Sequence, residues 1–183
     1  MIVPIEIIEH LSTDHLGAQY KQIFEYLNDK INISEFDIAA QINKTINETR
    51  AILYQLTSFN LVSSRKKKDP NKGWYVHYWS LNPSEIIYFY RKSLTKQIEE
   101  LQNKIYYEKE NEFYKCQGCG ERLSIDEALN ISFQCPECGS YLEPIDNSKL
   151  IERLESRLIV LKEKMISSVT ITTKIKIRIP QLN

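Results

Sequence analysis

The residues whose types and spacing could do chemistry are Cys116, Cys119, Cys135 and Cys138, and the chain has no other cysteine. They read C-x2-C, a fifteen-residue spacer, then C-x2-C. Each pair can curl as a tight knuckle that aims two thiolates at one point, and two knuckles supply the four soft ligands of a tetrahedral zinc site. Gly120 and Gly139 follow the second cysteine of each pair, where a knuckle often needs a positive φ. Pro136 stiffens the second knuckle. Two structural disulfides or four free thiols are the competing readings. Against redox disulfides stand the presence of two such pairs and the lack of a thioredoxin-like βαβ pattern. Four cysteine ligands close the coordination sphere and leave no water to activate, so one structural zinc is expected, not a catalytic one. The three histidines, His10, His15 and His77, are widely spaced and far from the cysteines in sequence. No enzyme activity is expected.

The elements that position these residues must fit into 183 residues, enough for one or two small domains. The chain is 42% hydrophobic and 26% charged, ordinary for a soluble globular protein. No run of about 18 apolar residues occurs, so no transmembrane helix and no membrane partner is expected. The segment 1–16 carries acids but no Lys or Arg, which is wrong for a signal peptide. Reduced, metal-binding cysteines point to an intracellular, cytoplasmic protein. Net charge is zero but unevenly spread: residues 116–147 hold one base against six acids, and residues 148–183 hold eight bases against three. Bulk charge therefore cannot drive DNA binding, and any nucleic-acid contact must be local.

Periodicity predicts a mainly α chain with small β elements. Ile2 to Ile8 is a short apolar segment. Ser12, Thr13 or Asp14 can cap a first helix over Leu16, Tyr20, Ile23, Phe24 and Leu27. Ser34 caps a second helix, with Asp37 completing something close to a capping box. Asn43 or Thr45 caps a third, containing Ile46, Arg50, Leu53, Leu56 and Phe59. A strand at Leu61-Val62, a turn at Asp69-Pro70-Asn71-Lys72-Gly73 and a strand from Trp74 to Leu81 follow. Three helices and a hairpin make a winged helix-turn-helix over 1–82. A long linker helix over 83–113 repeats Ile87, Tyr90, Leu94, Ile98, Leu101 and Ile105, with Glu99, Glu100, Lys104 and Glu108 on its outer faces. A zinc ribbon is expected over 114–145. A C-terminal helix over 146–168, with Ile151, Leu154, Leu158, Leu161 and Met165, would close an antiparallel helical hairpin. The tail, 169–183, alternates Val169, Ile171, Ile175, Ile177 and Ile179 with Thr and basic residues, which predicts a strand that adds to a partner's sheet or docks on its own winged helix.

The third helix is a poor reading head: its exposed candidates are Lys44, Asn47, Glu48, Arg50 and Gln55. The wing is better equipped. Arg65, Lys66, Lys67 and Lys68 rise into the turn, Lys72 lies beyond it, and Trp74 and Tyr75 come next. Alternation puts Trp74, Val76 and Tyr78 on one face and Tyr75, His77 and Trp79 on the other, one face packing on the helices and the other free as a surface. A solvated hairpin tip is the plain alternative for the charges, and core packing is the plain alternative for the aromatics.

The order winged helix, long helix, zinc ribbon and further helix resembles the alpha subunit of archaeal transcription factor E, the counterpart of eukaryotic TFIIE alpha. The closest match is FYKCQGCGERLSIDEALNISFQCPECGSYLEP, and GWYVHYW after the wing is also similar. The likeness covers residues from about 10 to 165; the alternating tail has no place in the family pattern. The resemblance implies a basal initiation factor, not an enzyme. It would join RNA polymerase, TATA-binding protein and transcription factor B on promoter DNA. Its winged helix would sit on the polymerase clamp near the non-template strand of the bubble, and its zinc ribbon toward the stalk. A beta subunit is a partner in some lineages. By the same resemblance, Arg65 to Lys68, Lys72, Trp74 and Tyr75 lie where the family's wing works. The alternative is a zinc-containing winged-helix repressor, dimerised through the long helices and reading a palindromic site.

Overall fold

The computed structural model describes residues 2–68 and 73–176. It is mainly helical, with two small antiparallel sheets. The chain divides into two compact units, residues 1–93 with 167–183, and residues 94–166.

In the first unit, α1 (Ile5–Leu11) runs into a π-helical turn, Ser12–Leu16, and then α2 (Ala18–Leu27). The expected cap at Ser12, Thr13 or Asp14 does not form. The Ser12 hydroxyl donates back to the Ile8 carbonyl at 2.7 Å, and that of Thr13 to the Glu9 carbonyl at 3.0 Å. Both side chains thus prolong the preceding helix instead of starting the next. Gly17, at φ 110°, supplies the break that precedes α2. Asn28 then bonds both the N–H and the carbonyl of Val3, at 2.7 and 2.8 Å, tying the N-terminal segment to the end of α2.

A two-residue strand, β1 (Ile33–Ser34), leads into α3 (Glu35–Gln41), where the Ser34 hydroxyl accepts from the Asp37 N–H at 3.2 Å. Thr45 caps α4 (Ile46–Ser58) with a complete capping box to Glu48. β2 (Val62–Lys68) and β3 (Tyr75–Leu81) pair along their whole length, and the sheet order is β1-β3-β2. β2 therefore extends through the polar stretch that follows Val62. Ile8, Leu11, Ile23, Phe24, Ile38, Leu53, Leu56 and Trp79 are all essentially inaccessible and form the core of this winged helix. α5 (Pro83–Glu110) starts on the same core through Ile86, Ile87 and Tyr90, whose ring meets His10 edge-on at 5.0 Å.

In the second unit, β4 (Phe113–Cys116) lies between β5 (Arg122–Ser124) and β6 (Leu142–Ile145). A short helix, α6 (Ile125–Asn130), begins in a Ser124/Glu127 capping box. α7 spans Ser148–Lys176. The parts of α5 and α7 in this unit run antiparallel: Lys109 pairs with Glu155 at 2.6 Å, while Leu101 and Leu161 line one shared groove. The expected helical hairpin is present.

Two expectations need correction here. Residues 169–176 continue α7 and do not form a strand. A helix already running needs no new nucleus, and β-branched residues cost it only a few tenths of a kcal/mol each, whereas a strand would need a sister. The rest of the alternating pattern, from Ile177 on, lies outside the described residues. Glu108, expected on an outer face, is 3% exposed. Its carboxylate accepts two bonds from Arg122, at 3.0 and 2.6 Å. Asn147 donates to the Glu108 carbonyl and carboxylate at 2.7 and 3.0 Å. Arg122 also lies over the Phe113 ring at 3.7 Å. One buried acid thus joins the end of α5, the ribbon and the start of α7.

Candidate functional site

The two knuckles are built by backbone turns. The N–H of Gly120 bonds the Cys116 carbonyl at 3.0 Å, and that of Gly139 bonds the Cys135 carbonyl at 2.8 Å. Both glycines take the positive φ such a turn requires, 81° and 75°. Each knuckle is closed by a second backbone bond: Cys116 N–H to the Glu121 carbonyl at 2.9 Å, Cys135 N–H to the Ser140 carbonyl at 2.8 Å. Cys116 and Cys135 are buried beside Ala128 and Leu142, with Tyr114, Leu123, Ile131 and Phe133 around them. Cys119 and Cys138 face outward.

All four Sγ atoms lie within 4.8 Å of one another. Cys116 and Cys138 stand 3.3 Å apart and Cys119 and Cys135 3.4 Å, each pair crossing from one knuckle to the other. Sulfurs about 2.3 Å from a central zinc in a tetrahedron stand about 3.8 Å apart, which falls inside the observed spread. They are much too far apart for disulfides of about 2.05 Å. The four cysteines are positioned to hold a metal ion. Gly118 keeps this space open, since a Cβ there would stand 3.0 Å from the Ser140 hydroxyl and 3.2 Å from the Cys138 sulfur. The Ser140 hydroxyl and amide also hold the Cys138 thiol down, to about 6. The Glu121 amide lowers Cys119, but contact with the Cys135 thiol, desolvation and the other two thiols push it up to about 12. A central cation held there would displace such protons and take the four sulfurs as thiolates.

At the wing, register settles what alternation could not. Arg65 faces Tyr78, Lys66 faces His77, Lys67 faces Val76 and Lys68 faces Tyr75. Neither face is wholly a surface: Val76 is 4% exposed on one and Trp79 1% on the other. Among the aromatics, position along the hairpin decides instead. Trp79, near the base, packs between His77 and Tyr54. Trp74 and Tyr75, near the tip, are more than half exposed. Lys66 sits over the Tyr75 ring at 4.6 Å and Lys67 over Tyr78 at 5.7 Å. Lys72 lies outside the described residues.

The recognition helix is largely spoken for. Arg50 makes a bidentate pair with Glu35, Nε to Oε2 at 2.9 Å and Nη2 to Oε1 at 2.6 Å. Glu35 is completely buried, and these bonds keep its carboxyl below the usual carboxylate range. Glu48 is held in the cap of α4, and Gln55 accepts from the Tyr20 hydroxyl. Of the expected base readers, Arg50, Glu48 and Gln55 are therefore engaged within the fold. Sequence reasoning missed Glu35, Glu108, Arg122 and Asn147, because nothing local marks a carboxylate whose partner is 14 to 39 residues away.

Comparison with known proteins decides the family. The family model described as TFIIE alpha subunit matches residues 6–110. Among similar proteins, the transcription factor E of Methanocaldococcus jannaschii is 33% identical over 144 residues, 79% of this chain and 83% of that one. That of Metallosphaera sedula is 30% identical over 161 residues, 87% of this chain and 92% of its own. That of Thermofilum pendens is 32% identical over 158 residues, 85% and 88%. The chain belongs to the TFIIE alpha subunit family. TFIIE alpha is a family of transcription factors and not of enzymes, so the cysteine cluster and the wing are to be read as parts of a factor that works with the transcription machinery. Among the described residues, no helix is long and apolar enough to cross a membrane.

Proposed function

We propose that this chain is a basal initiation factor that docks on RNA polymerase and stabilises promoter opening. Membership in the TFIIE alpha family carries the reading. The engaged recognition helix and the exposed, basic, aromatic wing support it. A winged helix whose Arg50 is spent on Glu35 is ill suited to reading base edges alone, whereas Trp74 and Tyr75 offer stacking faces beside a row of cations.

In this reading the winged helix sits on the polymerase clamp. Arg65, Lys66, Lys67, Lys68, Lys72, Trp74 and Tyr75 contact the clamp or the unpaired non-template strand. Cys116, Cys119, Cys135 and Cys138 hold one structural zinc, and the ribbon they fold faces the stalk. TATA-binding protein and transcription factor B complete the promoter complex, and a beta subunit joins it in some lineages. Zinc supplies cross-linking of the two knuckles and no bond chemistry.

The test is a pull-down of purified archaeal RNA polymerase with the full chain, together with permanganate reactivity of a promoter bubble. Binding and a more open bubble are expected, with opening reduced several-fold by Trp74→Ala/Tyr75→Ala. Unchanged opening with that variant would remove the wing from the mechanism. No binding, with a discrete footprint of the chain alone on DNA, would replace the proposal with a repressor.

A further inference from the structure

β2 is the outer strand of its sheet, paired with β3 on one side along all seven residues. Alternate residues of such a strand turn their N–H and C=O groups away from the partner. Among the described residues, nothing hydrogen-bonds to that outer side. Every residue from Ser63 to Lys68 is exposed. The edge is about 20 Å long at the usual rise of a strand. It carries Arg65, Lys66, Lys67 and Lys68 without an intervening acid.

We infer that this edge accepts an acidic, extended segment of a partner protein as an additional strand. Lysines on an edge ordinarily prevent pairing, and here they do so against a second copy, since like edges would bring four cations against four. Against an acidic segment the same charges attract. The distribution between faces favours a strand over a phosphate backbone. The register puts Lys66 and Lys68 on one face and Arg65 and Lys67 on the other. A nucleic-acid strand lying along either face would neutralise one pair and leave the other. An added strand alternates its own side chains, so acids at successive positions meet cations on both faces while the main chains bond. The ammonium groups of Lys66 and Lys67 lie over the Tyr75 and Tyr78 rings, which keeps them beside the hairpin. Nothing in this depends on docking to polymerase; the edge and its charge are enough.

The probe is a blocked, Glu-rich peptide of seven residues, the length of β2, with acids on both faces. It is titrated into the full chain at low salt and followed by amide shifts and amide hydrogen exchange. Expected are shift changes confined to β2 and β3, slowed exchange at the outward amides of β2, and loss of binding with Lys66→Glu/Lys68→Glu. Unchanged tryptophan fluorescence would show that this variant is folded. A peptide of the same charge but N-methylated on alternate residues is expected to bind at least about tenfold more weakly, because two or more main-chain bonds are lost. Equal binding of the methylated peptide would overturn the strand and leave only charge attraction. Displacement of the peptide by oligothymidylate, with no slowed amide in β2, would assign the edge to nucleic acid.

Discussion

Replacing Arg50 by methionine separates a structural arginine from a DNA-reading one. Its partner Glu35 has a completely buried side chain, while Arg50 itself is 37% exposed. Breaking a fully buried pair costs about 3–5 kcal/mol, because a charge is left unpaired in the interior. The exposure of Arg50 reduces this, so about 2–3 kcal/mol is expected. Both tryptophans, Trp74 and Trp79, belong to the first unit, so their fluorescence reports its unfolding alone. With a urea dependence of about 1.5–2 kcal/mol per molar for a unit of this size, the midpoint should fall by about 1–2 M. Glu35→Gln/Arg50→Met should recover more than half of the loss, since no charge is then buried unpaired. The effect also has a pH sign. Arg50 lowers the folded-state pKa of Glu35, so the pair's contribution is complete above the unfolded carboxylate value, about 4.3, and fades as pH falls through the lower folded value. In Arg50→Met the unpaired carboxyl shifts upward and can bury itself protonated, so the gap between the proteins should narrow from pH 7 to pH 4. A change under about 0.5 kcal/mol, or a double variant as weak as the single, would refute the assignment.

Three further outcomes follow from the ribbon. Cys135→Ser should abolish stoichiometric metal binding and unprotect the amides of 114–145 while leaving the tryptophan transition in place; full metal content in that variant would contradict a four-cysteine site. Gly118→Ala forces a methyl toward the Cys138 sulfur and the Ser140 hydroxyl, so affinity in a chelator competition should drop by about tenfold; an unchanged affinity would mean the knuckle yields freely. Arg122→Met leaves Glu108 buried beside Asn147 alone and should loosen the ribbon by about 2–3 kcal/mol, read as faster amide exchange over Phe113–Lys115; unaltered exchange would show that the network carries no stability.

The cysteines, the cap of α4 (as Asn43 or Thr45) and the stripes of the two long helices were legible because each is a short-range pattern. Two thiolates three residues apart make a knuckle, and a threonine with a glutamate three residues on makes a cap. The turn around Ser12 was misread for a local reason too: a serine can bond backward as readily as forward, and Gly17 decided which. From Val169 to Lys176 the alternation was a true period-two signal without a sister strand among the described residues, and a helix already under way overrode it. Which wing aromatics are exposed could not be read from parity, because among them burial follows distance from the hairpin base.

By itself the sequence determined which four cysteines are placed to hold a metal ion, the order of elements and the basic wing. Each depends on residue type at fixed spacing, which survives any arrangement of the rest. Only the tertiary structure decided that Arg50 belongs to Glu35, that Glu108 is an interior anchor for Arg122 and Asn147, and that β2 is the outer strand of its sheet among the described residues. Those facts join groups far apart in the chain. A charged side chain looks the same on paper whether water or a buried partner solvates it, and folding alone chooses between them.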